Sequence, residues 1–209
     1  MASLQPQRPL IVGIGGGASS SSSTDQALAL ALAQAKRNGA RTVIFGGQSL
    51  AQLPLYLTPG ASSSHMAKAL VEAVRSADGL IVASPGYHGS ISGAVKNAID
   101  YIEETSSDPR PYLTDLPIGL IAVAGGHQAA VSTLWALRTI SHALRAWPTP
   151  FGAAINSSGG VFRDGVCTDE LIRGHLDLVG NQVSQFALRA LAAAAHARPT
   201  AAPVCECGV

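Results

Sequence analysis

"VGIGGGASSSSSTD", residues 12–25, joins a short apolar run to a long segment rich in alanine and leucine. Four glycines and five consecutive serines stand where a strand passes into a helix, with no charge before Asp25. Upstream, Pro9 to Ile14 reads as a strand. Downstream, Thr24 to Asn38 has helical spacing and stops at Gly39, a residue type favoured in the C′ position. Ser22 and Asp25 have the spacing of a capping box, which sets the helix start nearby.

The same unit recurs along the chain. "RTVIF" (41–45) reads as a second strand, and "GGQSLAQLPLYLTPGASSS" (46–64) as a loop broken by Pro54 and Pro59. A helix follows from about His65 to Ala77, then a third strand, "GLIVAS" (79–84), and a helix from about Ile91 to Glu104. "PIGLIAVA" (117–124) is a fourth strand, followed by a helix over about Gln128 to Ala146. "PTPFGAAIN" (148–156) is the fifth, and the last helix covers about Asp169 to Ala195. Apolar, non-alternating strands in β-then-α units predict a parallel sheet buried on both faces. Right-handed crossovers then leave a doubly wound α/β fold in three layers. One domain is expected over 1–196, with 197–209 as a disordered tail. In such folds ligands bind beyond the carboxyl ends of the strands, so the loops after strands one, three and four are the candidate site.

Composition narrows the function classes. Hydrophobic residues make up 47% of the chain and charged residues only 13%, a balance that points to a subunit interface. No apolar run approaches the roughly 18 residues of a membrane span. Net charge is +1 without a Lys/Arg cluster, which argues against a nucleic-acid partner. "MASLQPQRP" lacks the pattern of a secretory signal, so a cytoplasmic protein is expected. The cysteines, Cys167, Cys205 and Cys207, make no disulfide framework, and no metal centre is expected. The end, "ARPTAAPVCECGV", reads as a disordered tail, the alternative being a metal or redox clip at Cys205 and Cys207.

Three phosphate-binding patterns compete for the serine loop. A Walker A loop needs Gly-Lys-Ser/Thr, and no lysine lies between Val12 and Asp25. A dinucleotide fingerprint is formally present at Gly13, Gly15 and Ala18, but the second strand ends "VIFGGQ", without the carboxylate that holds a ribose. The third is a hydroxyl-lined loop wrapping a terminal phosphate at a helix N-terminus, where unpaired N–H groups and the helix dipole favour an anion. A plain Gly/Ser surface loop is the structural alternative.

The second loop is "ASPGYHGSISGAVKNAIDYI" (83–102), in which a strand ends at Pro85, a tight turn follows, and Ile91, Val95, Ile99 and Ile102 share a helix face. A flat aromatic ligand can lie against such a turn beside Tyr87. His88 is either a turn residue or a ligand contact, and Lys96 with Asp100 reads as a surface pair. This stretch resembles the flavin signature of the NAD(P)H-dependent FMN reductases, close to S-P-E-Y-N-G-S-I-P-G-x-x-K-N-A-x-D. Ser84, Pro85, Tyr87, Gly89, Ser90, Ile91, Gly93, Lys96, Asn97, Ala98 and Asp100 match it. The likeness runs from about Leu10 to Asn156.

The resemblance implies a flavodoxin-like fold, strand order 2-1-3-4-5, a homodimer or homotetramer, and the cofactors FMN and NADPH or NADH. It implies phosphate contacts at Gly17, Ser19, Ser22, Ser23 and Thr24. Flavin-ring contacts are implied at Pro85, Gly86, Tyr87, His88, Gly89 and Ser90, completed by Gly125, Gly126 and His127. His127 either faces the flavin or simply begins the fourth long helix. The family's G-S-x-R-x-x-S loop keeps Ser22 here, but Gly17 replaces its serine and Ser19 its arginine. Losing that arginine removes a charge-assisted contact worth about 1.5–3 kcal/mol. Gly86 and His88 likewise replace the usual Glu and Asn.

The chemistry implied is hydride transfer from a nicotinamide nucleotide to flavin, which requires ring stacking and no dedicated acid, base or nucleophile. The expected function is an FMN reductase supplying a flavin-dependent monooxygenase. The alternatives are an FMN-bound reductase of quinones, azo dyes or metal oxyanions, and an electron carrier, which the near-neutral charge disfavours.

Overall fold

The computed structural model describes residues 8–17, 19, 22–163 and 165–197. β1 (Leu10–Gly15) is buried at every position. The strand's period of two sends Leu10, Val12 and Ile14 into one core cluster and Ile11 into the other. α1 (Ser23–Arg37) buries Ala27, Leu28, Ala31 and Leu32 as one stripe. It packs against α6 (Glu170–Ala197) so closely that a Cβ on Gly180 would stand 2.1 Å from the Ala31 carbonyl oxygen. These two helices cover one face of the sheet. The opposite face carries α3 (His65–Ser76), α4 (Gly93–Asp100) and α5 (His127–Ala143).

β2 (Arg41–Phe45), β1, β3 (Gly79–Tyr87) and β5 (Pro117–Ala124) pair in that order, all parallel. The far flank of β5 is taken by β6 (Trp147–Pro148) and β7 (Ala153–Asn156), also parallel. This is the expected order, with helices on both sides, and it differs from the order of the dinucleotide-binding folds. Register places Gly15 beside Ala83 and Pro85 beside Val123, so the loops after β1, β3 and β5 emerge side by side.

Several expectations need correction. The fifth strand is not continuous: its pairing with β5 at Trp147 and Pro148, extended by the Thr149 N–H to the Ile118 carbonyl, breaks at Pro150, which gives no ladder N–H, and resumes at Ala153. β2 is not buried on both faces, since Val43 and Ile44 are 40% and 45% exposed at the sheet edge. The 46–64 segment contains a four-residue helix, α2 (Gly47–Leu50), and a 3-10 turn at Ala61–Ser63. Ile91 belongs to a short strand, β4 (Ser90–Ile91), antiparallel to the end of β3, and not to a helix. The third long helix ends at Asp100 and tightens into a 3-10 turn over Tyr101–Thr105. A further hairpin, β8 (Phe162–Arg163) with β9 (Val166–Cys167), precedes α6. Gly39 does close α1, at φ +95, with its N–H donating to the Lys36 carbonyl. The expected disordered tail and the Cys205–Cys207 clip lie outside the described residues, apart from Ala197 at the end of α6.

Candidate functional site

The first loop leaves β1 through Gly15 and Gly16, at φ +150 and +132, where a side chain is strained. A Cβ on Gly15 would lie 1.9 Å from the Ala83 carbonyl oxygen, so only glycine lets the loop start flush against β3. Ser22 caps α1: its Oγ accepts from the Asp25 N–H at 3.3 Å, and its own N–H donates to the Ser19 carbonyl at 3.1 Å. Ser19 is exposed, Gly17 and Ser23 are half-buried, and the Thr24 side chain is buried under the helix start. The N–H groups of Ser23 and Thr24, in the first turn, have no intrahelical acceptor. Ala18, Ser20 and Ser21 lie outside the described residues.

The capping-box spacing is only half realised. The Asp25 carboxylate does not return to the Ser22 N–H. Its Oδ2 accepts from the Gly17 N–H at 3.2 Å and its Oδ1 from the Gly47 N–H at 2.9 Å. One side chain thus joins the first loop to the turn after β2.

The second loop is a hairpin, with Tyr87 paired to Ser90. His88 and Gly89, at φ 50 and 87, are the two left-handed central residues of a type I′ turn. Histidine is among the few side chains enriched in that region, so His88 holds the turn with its ring exposed. Beneath it the buried Ser84 Oγ accepts from the Ser92 N–H at 3.0 Å, and Ser92 caps α4 through the Val95 N–H at 3.2 Å. Thr133 of α5 reaches the same hairpin, donating to the Ser90 carbonyl at 3.3 Å. A Cβ on Gly86 would meet Thr133 Oγ1 at 2.7 Å and the Ala129 carbonyl oxygen at 3.2 Å. The approach of α5 therefore accounts for glycine at this position.

The third loop is Gly125–Gly126, and Gly126 starts α5 without a side-chain cap. A Cβ at Gly89, Gly125 or Gly126 would meet nothing within 4 Å, so the backbone at these turns is open to a ligand. Between the first and second loops lies a cavity of about 210 Å³ lined by Gly16, Gly17, Gly47, Pro85, Tyr87 and Gly93. His127 is the first residue of α5 and lines a separate cleft of about 740 Å³ with Asn156 and His175. The structure thus gathers Gly17, Pro85 and Tyr87 at one cavity and turns His127 toward another.

Residues whose part was not foreseen are Asp25, Gly47, Ser92, Thr133 and Asn97. The Asn97 carboxamide donates to the Pro54 carbonyl at 2.9 Å and accepts from the Tyr56 N–H at 2.8 Å. Tyr101, one turn on, donates to the same Pro54 oxygen at 2.9 Å. The signature residue Asn97, together with Tyr101 just beyond the signature, therefore pins the long 51–60 loop. Lys96 and Asp100 are the expected exposed pair, 2.5 Å apart. Among the described residues no group of three His, Cys, Asp or Glu side chains can hold a metal, and no helix is long and apolar enough to cross a membrane.

An open parallel sheet in this order, with three glycine-bearing loops at its carboxyl edge, defines a flavodoxin-like protein. The profile described as NADPH-dependent FMN reductase matches residues 9–159, and the chain belongs to that family. Among curated relatives, an NADPH azoreductase of Bacillus sp. (strain OY1-2) is 33% identical over 87 residues, 41% of this chain and 46% of that protein. An FMN-dependent NADPH-azoreductase of Staphylococcus haemolyticus (strain JCSC1435) is 37% identical over 87 residues, 42% of this chain and 43% of that protein. The chain thus spans under half the length of these relatives. An oxidoreductase structure from Corynebacterium diphtheriae superposes with a TM-score of 0.68 at 19% identity, over 87% of this chain and 98% of that one, a likeness of fold.

Proposed function

We propose that this protein binds FMN across the three loops and reduces it with NADPH or NADH. The observation that carries the reading is the convergence of an uncharged donor loop, a type I′ hairpin and an open glycine pair at the ends of β1, β3 and β5. A phosphate monoester fits the first loop: serine hydroxyls and the first-turn N–H groups of Ser23 and Thr24 are donors, and the helix dipole adds positive potential. Ser19 and Ser22 complete that contact set, whereas the Gly17 N–H is already given to the Asp25 carboxylate, so Gly17 borders the phosphate without donating to it. Pro85, Gly86, Tyr87, His88, Gly89 and Ser90 line the ring edge, and Gly125 and Gly126 offer backbone N–H groups. His127 is the weakest member, because it lines the neighbouring cleft.

When bound, FMN supplies acceptance and release of a hydride, chemistry that no side chain here provides. The protein's part is to hold the ring against the hairpin, present backbone donors to its polar edge, and leave one face open for the nicotinamide. Because Ser19 stands where the family has arginine, FMN is held loosely and exchanges as a substrate. The decisive experiment is steady-state oxidation of NADPH with catalytic protein and excess free FMN. Turnover supports the reading; no FMN association in a fluorescence titration overturns it.

Azo compounds are the second acceptor class, favoured by the names of the two bacterial relatives. NADPH consumption that needs an azo dye in place of free FMN selects it. Delivery of reduced flavin to a monooxygenase, and a cytoplasmic setting, belong to the same reading. A homodimer or homotetramer is part of it too: Leu55, Leu57 and Trp135 are 62%, 83% and 66% exposed, a cost that a subunit interface removes.

A further inference from the structure

Asp25 stands in the first turn of α1, yet its carboxylate caps nothing in that helix. Its two oxygens take the N–H groups of Gly17 and Gly47, which belong to different turns. Gly46, the residue before α2, has no side chain with which to cap it, and Asp25 supplies the missing acceptor from across the sheet edge. The surroundings are closed about this carboxylate. A Cβ on Gly16 would lie 2.3 Å from Oδ1, and one on Gly46 2.7 Å from it. A Cβ on Gly47 would lie 2.0 Å from the Gly17 carbonyl oxygen, so the two turns touch backbone to backbone. Gly16, Gly17, Gly46 and Gly47 thus form, with one carboxylate, a clasp beside the Ser22 cap of α1.

We propose that Asp25 is a positioning residue for the terminal phosphate: it clasps Gly17 of the first loop to Gly47 of the β2–α2 turn and so fixes the approach of that loop to the start of α1, where the anion is received. The inference rests on the FMN reading above. Ordering a binding loop around a ligand costs conformational entropy, and a clasp formed beforehand removes part of that loss. A carboxylate is a costly neighbour for a phosphate unless it does this, because its charge opposes the ligand's. The helix dipole of α1 offsets that charge in place.

The test compares FMN with riboflavin, which lacks the phosphate, by flavin-fluorescence titration of the wild type and Asp25→Asn. Asparagine offers one acceptor oxygen and turns a donor toward the second N–H, so the clasp opens. FMN Kd is expected to rise about tenfold, and riboflavin Kd to change less than about twofold. Tighter FMN binding in Asp25→Asn would show a merely repulsive charge, and equal weakening of both ligands a general loss of structure. Either overturns the proposal. Amide hydrogen exchange on the wild type covers the case in which the variant does not fold. FMN, and not riboflavin, is expected to slow exchange at Gly47, and an indifferent Gly47 amide overturns the clasp. Failure of the wild type to bind either flavin would instead refute the FMN reading itself.

Discussion

Two positions show how single residues set the site's character. Ser19 is exposed on the first loop, where a longer side chain has room. Ser19→Arg should restore a charge-assisted phosphate contact and lower FMN Kd by about ten- to a hundredfold, with riboflavin unaffected. Fluorescence titration checks it, and an unchanged FMN Kd would show that loose binding has another origin. Gly86 behaves in the opposite way. Gly86→Glu brings back the family's usual residue, but its Cβ must enter the space of Thr133 Oγ1 and the Ala129 carbonyl. Overpacking should cost about 1–3 kcal/mol, read as a lowered thermal midpoint. If the variant melts with the wild type, α5 is less closely held than the contacts imply.

At the scale of elements, the 51–60 loop hangs on α4 and the 3-10 turn after it, through Asn97 and Tyr101. Burial pushes the Tyr101 phenol above its ordinary value, helped by the nearby Glu104 charge. Its proton is held more tightly in the folded state, so the stabilisation is complete below the unfolded phenol's pKa of about 10 and lost as pH climbs through the raised value. The thermal midpoint should therefore fall above about pH 10 in the wild type and fall less steeply in Tyr101→Phe, which has no proton to lose there. Parallel slopes for the two proteins would remove Tyr101 from the account. The elements also show what was readable in advance. β2 and β5 run over the residues expected, because apolar runs bounded by glycine, proline or charge have few other readings. Ser22 was legible as a cap from its spacing. Asp25 was not, because spacing describes neighbours within a turn, whereas its partners lie at Gly17, eight residues back, and at Gly47 on another loop. β4, β8 and β9 have two residues each, too few for any period to register. The break after Pro148 was masked by the apolar residues on either side of it.

At the scale of the molecule, the exposed apolar side chains predict assembly. Light scattering should return an even multiple of the 21.3 kDa protomer. Leu57→Asp with Trp135→Glu should shift it toward that single mass, and a wild type already at 21.3 kDa would contradict the proposal.

The two margins of the sheet are built unlike each other. On one, prolines at 148 and 150 and a gap in the pairing deny an incoming chain any continuous template. On the other, no strand among the described residues pairs with the outer side of β2, and its Val43 and Ile44 are partly bare. A fibre grows only when every new unit is receptive at both ends. Strand docking, where it occurs, is therefore expected to stop at a pair of molecules joined through β2 and not to propagate.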